Sequence, residues 1–410
     1  MYRTTKKENE ILTRVSAGTP MGELLRRYWW PIGISAHLKE RPTYIRVMGE
    51  DLVLFRDAAG KPAIIGARCA HRRANLCLGD VEKDGIRCRY HGWLYGNDGR
   101  VLQTPGEPPD SKLKDTIKHP SYPAQELGGF IFVYMGPKPV PLLPRYHFLA
   151  AEGERHSIVQ GFGKCNWLQA TENGIDPLHA GFLHGDIWDA VSAEPETTWF
   201  EETDLGIVYK VIRPGRKPGE YNYREHHLFM PGISSGGDAS VSEGADNPPP
   251  DELPAVTARW SVPVDDTRMM HMRVFFKPAS KNAKPLQFKT LSLAQTRTSP
   301  FQVEPYGEYQ NATGAPTLGY TIPKSIGGED AVMLDSMGTI VDRENENLTV
   351  ADESMEMLRK MYLKQIEVVK QGGDPLGVVR DENKNQMIIA GGLYRWISPD
   401  ERKQLLEKAA

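Results

Sequence analysis

The stretch that decides the fold runs from Cys69 to His91 and reads CAHRRANLCLGDVEKDGIRCRYH. It opens on Cys69-Ala70-His71 and, after sixteen intervening residues, closes on Cys88-Arg89-Tyr90-His91. Two thiolates and two imidazoles form the donor set of a [2Fe–2S] cluster in which two histidines replace two cysteines on one iron. The same four groups also suit tetrahedral Zn²⁺. Order separates the two readings. Zinc fingers of the usual kind run Cys-Cys then His-His, whereas this chain runs Cys-His twice, and His91 leads into Gly92-Trp93-Leu94-Tyr95-Gly96.

The C-x-H…C-x-x-H-G-W run closely resembles the Rieske family. The resemblance implies that Cys69 and Cys88 hold one iron of a [2Fe–2S] cluster and His71 and His91 the other. Neutral imidazole in place of thiolate lowers the cluster's negative charge and raises its potential, so it accepts electrons from a reductase and passes them on. The motif fits a relay rather than a final oxidant.

A second motif lies at residues 166–184, NWLQATENGIDPLHAGFLH. Asn173, Asp176, His179 and His184 follow the N-x-x-D-x-x-H-x-x-x-x-H pattern of Rieske oxygenase α subunits, and the resemblance extends over essentially the whole chain. Mononuclear iron in such enzymes takes two neutral imidazoles and one carboxylate on one face and leaves the opposite positions open for O₂. His179 and His184 are the expected imidazoles. Their separation of five is not the i, i+4 spacing of one helical face, so a distorted or π-bulged turn is expected there, eased by Gly181. The carboxylate is sought in residues 328–343, GEDAVMLDSMGTIVDR, which resemble the family segment Q-D-x-x-V-Q-E-S-x-G-x-I-x-D-R. Asp330 matches the ligand position and Asp335 is the runner-up, since Leu334-Asp335 stands where Gln-Glu is common. By resemblance Asn173 lies near the iron. Asp176 bridges His179 to a cluster histidine, His91, of the next subunit, which requires head-to-tail contacts that close into a ring: a homotrimer or a stacked hexamer.

The rest of the chain is read around these motifs. Residues 1–35 read as helical, with Ile11, Leu12 and Val15 on one face, Thr19-Pro20 as N-cap and first turn, and Pro31 as the stop. Tyr44–Val47, Leu52–Phe55 and Gly128–Tyr134 read as strands, and Gly96-Asn97-Asp98-Gly99 as a hairpin turn. Pro137 to Pro144 (PKPVPLLP) is a connector. Beyond it, Gly206–Val211, Val256–Val262 and Met270–Phe275 alternate like strands of a half-buried antiparallel sheet. Residues 232–254 carry almost no large apolar side chain and read as a surface loop or a substrate lid. A helix is expected from Asp352, with Met355, Leu358, Tyr362 and Ile366 on one face, ending at Gly372-Gly373.

The fold expected is therefore α+β: a helical segment (1–40), a Rieske [2Fe–2S] β domain (41–140) and a catalytic domain (141–410) of antiparallel sheet with flanking helices, helix-grip-like by resemblance. The chain has 410 residues and a net charge of -3, with 50 basic against 53 acidic residues. Such a balance gives no electrostatic footprint for nucleic acid or an anionic membrane. Cys77 and Cys165, the cysteines outside the motif, read as buried small side chains. Cluster thiolates favour a reducing compartment, and MYRTTKKENE has no apolar targeting core, so the cytoplasm is expected.

Together the motifs imply the terminal oxygenase of a Rieske non-heme iron system that uses O₂ to oxidise an aromatic substrate. No G-x-G-x-x-G fingerprint is present, so NAD(P)H acts through a separate reductase, with or without a ferredoxin. Resemblance to the phthalate dioxygenase branch favours O-demethylation of a methoxylated, lignin-type aromatic acid or biaryl, with cis-dihydroxylation of a phthalate-type ring as the alternative. A bare Rieske electron carrier does not explain residues 166–184. Arg224, His226, His227, Arg259 and Arg273 lie in strand-like segments within reach of a substrate carboxylate, but side chains of these types are more often exposed or paired at the surface.

Overall fold

The computed structural model describes residues 2–185, 193–215, 217–237, 253–279, 325–392 and 394–409. Helix α1 (Lys6–Thr13) starts at a capping box in which Thr5 Oγ1 accepts the Glu8 N–H at 3.2 Å and Glu8 Oε2 accepts the Thr5 N–H at 2.8 Å. Helix α2 (Pro20–Leu25) has Thr19 as N-cap and Pro20 in its first turn, as the sequence predicts. The helical reading fails beyond it. Trp29–Ile34 is strand β1, paired antiparallel with β11 (Phe130–Tyr134) from Trp29↔Tyr134 to Ile34↔Phe130. Aromatic and β-branched side chains suit a buried pleat. Pro31, expected to stop a helix, instead sits at a register shift, where a residue without an N–H is tolerated.

Strand β10 (Ala124–Leu127) completes a three-stranded sheet, β1-β11-β10. Two four-stranded sheets carry the first motif: β2 (Thr43–Val47), β3 (Glu50–Arg56), β4 (Pro62–Gly66) and β9 (Ser121–Tyr122), and then β5 (Asp80–Glu82), β6 (Gly85–Arg87), β7 (Leu94–Gly96) and β8 (Val101–Gln103). The expected turn joins β7 to β8, where Gly99 has φ +81° and donates its N–H to Gly96 O at 3.0 Å. Val53, Phe55, Ile65, Leu76, Ile86 and Tyr95 bury against Cys69 and Cys88 as a core of their own. Short helices α3 (Leu113–Thr116) and α4 (His147–Ala150) flank the connector, in which Leu142 N–H donates to Val379 O at 2.8 Å.

The large sheet contains β12 (Gly153–Gly163), β13 (Thr197–Thr203), β14 (Gly206–Pro214), β15 (Tyr221–Phe229), β16 (Ile233–Gly236), β17 (Val256–Asp265) and β18 (Arg268–Pro278). Its order is β12-β18-β17-β16-β15-β14-β13, all antiparallel, with β19 (Tyr394–Ile397) also on β15. The segment read as a loop or lid begins, unexpectedly, with a central strand: Ile233–Gly236 pairs with both neighbours, and small side chains fit between them. Residues 238–252 of that segment lie outside the described residues.

Alternation gives this sheet two unlike faces. One carries Trp260 opposite Met272 and Val262 opposite Met270, all buried. The Phe130, Phe148 and Phe132 rings meet Trp260 edge-on at 5.5, 5.8 and 6.1 Å. The other face carries Arg259 opposite Arg273, Ser234 beside Arg259 and His271 opposite Ser261. Helix α5 (Trp167–Asn173) meets that face through Arg259 Nη2, which donates to Asn173 Oδ1 at 3.2 Å. Helices α6 (His179–Leu183), α7 (Ile326–Ser336), α8 (Glu353–Lys370) and α9 (Pro399–Ala409) follow. The expected face of α8 buries Leu358, Tyr362 and Ile366, with Met355 half-buried, and Gly372 (φ +82°) ends it. Among the described residues no helix is long and apolar enough to cross a membrane.

A buried ion network holds α5 in place. Glu172 accepts from Arg343 Nη2 and Arg359 Nε, each at 2.7 Å, while Arg359 also reaches Glu346 at 2.7 Å and Arg343 reaches Asn9 Oδ1 at 3.0 Å. Burial pushes the Glu172 carboxyl up, but the charges of Arg343 and Arg359 more than offset this and hold it below its ordinary value. Its stabilising contribution is complete above the unfolded carboxylate's pKa and is lost as pH falls through the lower folded value. Removing one partner of a buried pair leaves an uncompensated charge, so Arg343→Ala should lower stability by about 3–5 kcal/mol. A urea unfolding curve with an unchanged midpoint would contradict this.

Candidate metal centres

Cys69 and Cys88 sit in two turns with the same hydrogen-bond pattern. Cys69 N–H donates to Ala74 O and Arg73 N–H to Cys69 O, both at 2.8 Å; Cys88 N–H donates to Trp93 O at 2.8 Å and Gly92 N–H to Cys88 O at 2.9 Å. The closing residues, Arg73 and Gly92, have φ of +64° and +74°. Glycine adopts this conformation freely, whereas at Arg73 it costs about 1 kcal/mol or more. Both thiols are buried, while His71 is exposed and His91 half-buried. The two rings are neighbours, with centroids 4.6 Å apart, and His71 stacks on Trp93 at 5.0 Å.

Tyr95 Oη lies 3.0 Å from Cys69 Sγ and accepts the Ala70 N–H at 2.9 Å, which leaves its own hydrogen for the sulfur. Burial pushes the Cys88 thiol up, a cost that a bound cation reverses. Sulfur donors inside and imidazole donors outside fit a cluster with one iron on each side.

The second set converges from three elements. His179 is the first residue of α6, His184 caps its C-terminus, and Asp330 lies in the first half of α7; one ligand atom from each falls within 4.8 Å of the others. Asp330 Oδ1 is 3.0 Å from His184 Nε2 and 3.6 Å from His179 Nε2. The sequence predicted a distorted or π-bulged turn to bring the histidines together. The structure has a five-residue α-helix, α6, with His184 as its C-cap at φ -110°, ψ -1°, where the His184 N–H still donates to Ala180 O at 3.1 Å. Burial works against ionisation of Asp330, yet His184 and the charge of Arg259 hold its carboxyl well below the usual range. Two imidazoles and an ionised carboxylate with room for open positions fit iron(II).

Asp335, the runner-up, is not part of this group. Five residues along a helix is a rotation of about 140° from Asp330, and Asp335 Oδ1 accepts the Lys164 N–H at 2.9 Å instead. Asn173 is in the group, with Nδ2 3.3 Å from both Asp330 Oδ1 and His179 Nε2. Asp176 accepts the N–H groups of Leu178 and His179 at 2.8 and 3.2 Å, and its Oδ2 lies 3.4 Å from His179 Nδ1.

Of the five basic strand residues, Arg259 is not at the surface. It is 8% exposed and, besides Asn173, places Nη1 3.8 Å from Asp330 Oδ2. The register puts Arg273 on the same face and, by alternation, His227 on the opposite face from His226; His227 Nε2 is 3.0 Å from Glu225. Sequence reasoning missed Glu329, whose Oε2 is 2.6 Å from His184 Nδ1. Its signal was adjacency to Asp330. A cavity lined by Gln160, Cys165, Arg259, Met269, His271 and Asp330 opens beside the group.

Two donor sets in one chain, one for a two-iron cluster and one for a single facial metal, define an oxidoreductase that separates electron intake from substrate oxidation. Residues 28–123 match the Rieske [2Fe–2S] domain family. Over 400 residues the chain is 32% identical to the 5,5'-dehydrodivanillate O-demethylase oxygenase subunit of Sphingobium sp. (strain NBRC 103272 / SYK-6), covering 95% of this chain and 87% of that one. It is 33% identical over 408 residues to the phenoxybenzoate dioxygenase subunit alpha of Ectopseudomonas oleovorans, covering 93% and 90%. A shorter match, 46% over 277 residues, covers 63% of this chain and 57% of the tert-butanol monooxygenase / tert-amyl alcohol desaturase oxygenase subunit of Aquincola tertiaricarbonis.

The fold is shared with a Pseudomonas putida CBB5 NdmA variant solved with caffeine, at TM-score 0.61 and 19% identity over 89% of this chain and 99% of that one. The chain belongs to the Rieske non-heme iron aromatic oxygenases, as an α subunit. Its cofactors are a Rieske [2Fe–2S] cluster and a mononuclear iron, its co-substrate is O₂, and it works with electron-transfer partners.

Loss of one donor should empty one centre only. His71→Ala should abolish the visible spectrum of the cluster. Asp330→Asn should keep that spectrum and lose mononuclear iron, because an amide oxygen is a weaker, uncharged donor. Elemental analysis beside absorption checks both, and iron retained in Asp330→Asn but lost in Asp335→Asn would reverse the choice of carboxylate.

Proposed function

We propose that Cys69 and Cys88 hold one cluster iron and His71 and His91 the other, that His179, His184 and Asp330 hold the mononuclear iron, and that the chain O-demethylates a methoxylated aromatic acid or biaryl. The observation that carries the reaction is the 32% identity along 95% of the chain to an aromatic O-demethylase oxygenase subunit. The balance is ArOCH₃ + O₂ + 2 e⁻ + 2 H⁺ → ArOH + HCHO + H₂O, with both electrons from NAD(P)H through a reductase. Iron bound at the triad supplies the redox chemistry that couples O₂ to the methyl group. The protein's own residues do the rest: Asp330 brings negative charge, and Asn173 and Arg259 fix its orientation.

A second reading, dihydroxylation of an aromatic ring, draws on the identity to a phenoxybenzoate dioxygenase subunit. The 46% match to a tert-butanol monooxygenase subunit puts tertiary alcohols on the list to be assayed. The rest of the organisation follows the domain limits 1–40, 41–140 and 141–410. Subunits assemble head to tail as a homotrimer or stacked hexamer, with Asp176 joining His179 to His91 of the next subunit. Exposed Tyr90 beside His91 and exposed Phe182 between the two iron histidines support this arrangement, since both gain by burial at such a contact.

With reductase, O₂ and a panel of methoxylated and unsubstituted aromatic acids plus tert-butanol, formaldehyde should appear in step with O₂ uptake on a methoxyarene. A cis-diol or a hydroxylated alcohol without formaldehyde would replace this reading. Asp176→Asn should keep both metals and the oligomer, yet slow reoxidation of the pre-reduced cluster in single turnover by stopped-flow absorbance. Decay at the wild-type rate would remove Asp176 from the electron route.

A further inference from the structure

Two histidines face one metal position, yet the fold holds them unequally. His184 is 2% exposed and is gripped at both ring nitrogens: Nδ1 lies 2.6 Å from Glu329 Oε2 and Nε2 lies 3.0 Å from Asp330 Oδ1. At 2.6 Å the Glu329 contact is a charge-assisted hydrogen bond. A carboxylate oxygen accepts, so Nδ1–H donates to Glu329, and Nε2 is the nitrogen turned toward Asp330 and the metal position. Both carboxylates come from one turn of α7. Glu329 N–H donates to Ser325 O at 2.9 Å, and Ser325 Oγ accepts the Gly328 N–H at 3.3 Å as N-cap. Position near a helix N-terminus favours their negative charge.

Among the described residues His179 has no such grip. Its Nδ1 stands 3.4 Å from Asp176 Oδ2 without the alignment of a hydrogen bond, and the other Asp176 oxygen is already occupied by two backbone N–H groups. Its side chain is 23% exposed against 2% for His184.

We infer that Glu329 is a positioning residue that makes His184 the anchoring imidazole of the iron site and leaves His179 the adjustable one. The inference rests on the ligand set proposed above and adds an unequal division of labour within it. Because the anchor does not depend on Asp176, loss of the Asp176 charge should not release the metal.

The test is equilibrium dialysis of full-length protein, carrying its cluster but stripped of mononuclear iron, against anaerobic Fe(II), with bound iron read by elemental analysis. Glu329→Ala should raise the apparent Kd about 10- to 100-fold. Glu329→Gln should fall between it and wild type, because the amide oxygen still accepts from Nδ1 but carries no charge. Asp176→Asn should bind close to wild type, and the visible spectrum of the cluster should be unchanged in all three. Wild-type affinity in Glu329→Gln and Glu329→Ala, or a loss in Asp176→Asn as large as in Glu329→Ala, would overturn the inference. If Glu329→Ala does not fold, as a lost cluster spectrum would reveal, the isosteric Glu329→Gln decides alone. His184→Ala and Asp330→Ala separate the two levels: iron kept in these defeats the ligand set itself, whereas iron lost here and kept in the Glu329 variants defeats only the anchoring role.

Discussion

A carboxylate taken out of water must find its counter-charge close by, and at the end of α5 that demand fixes the architecture. Glu172 turns to Arg343 and Arg359, and the next residue, Asn173, turns to Asp330 and Arg259. Adjacent helical residues point about 100° apart, so α5 cannot rotate to improve one set of contacts without breaking the other. Arg343 follows α7 and Arg359 lies on α8, and through Asn9 and Thr4 the same network reaches the first residues of the chain. The charges are matched within the network, which makes it costly to dismantle though not a large net source of stability.

The two centres solve opposite problems. Around Cys69 and Cys88 a small apolar core, separate from the main one, excludes water from the sulfurs while His71 stays at the surface. At the histidine–carboxylate group one face of the large sheet supplies Arg259, and the face that carries Trp260 and Met272 lies against Phe130, Phe132 and Phe148. The strand that carries Phe130 and Phe132 pairs with β1, so the first sheet is the surface against which the catalytic sheet packs.

What the sequence made legible was set by local spacing. C-x-H and C-x-x-H fall in turns closed by the same hydrogen bonds, and Asp176, His179 and His184 lie within one short loop and helix, so their pattern survives in one dimension. Asp330 needed the resemblance, and only the rotation along α7 separates it from Asp335. Arg259 was visible as a basic residue in a strand, but whether it faced water or Asp330 depended on register with β16 and β18, which no single strand reveals. Trp29–Ile34 read as the end of a helix because its partner, Phe130–Tyr134, is about a hundred residues away. Glu329 carried no signal beyond adjacency to a ligand.

The two-faced sheet has a further consequence. A slip of one residue in β17 would exchange Arg259 with Trp260, driving a charge into the aromatic core and an indole toward the His179, His184 and Asp330 group. Register is thus locked from both faces, by the packing of Trp260 on one and by the contacts of Arg259 with Asn173 and Asp330 on the other. Alternate positions of β17 and β18 therefore set the face that carries Arg259 and His271 separately from the face that carries Trp260 and Met272.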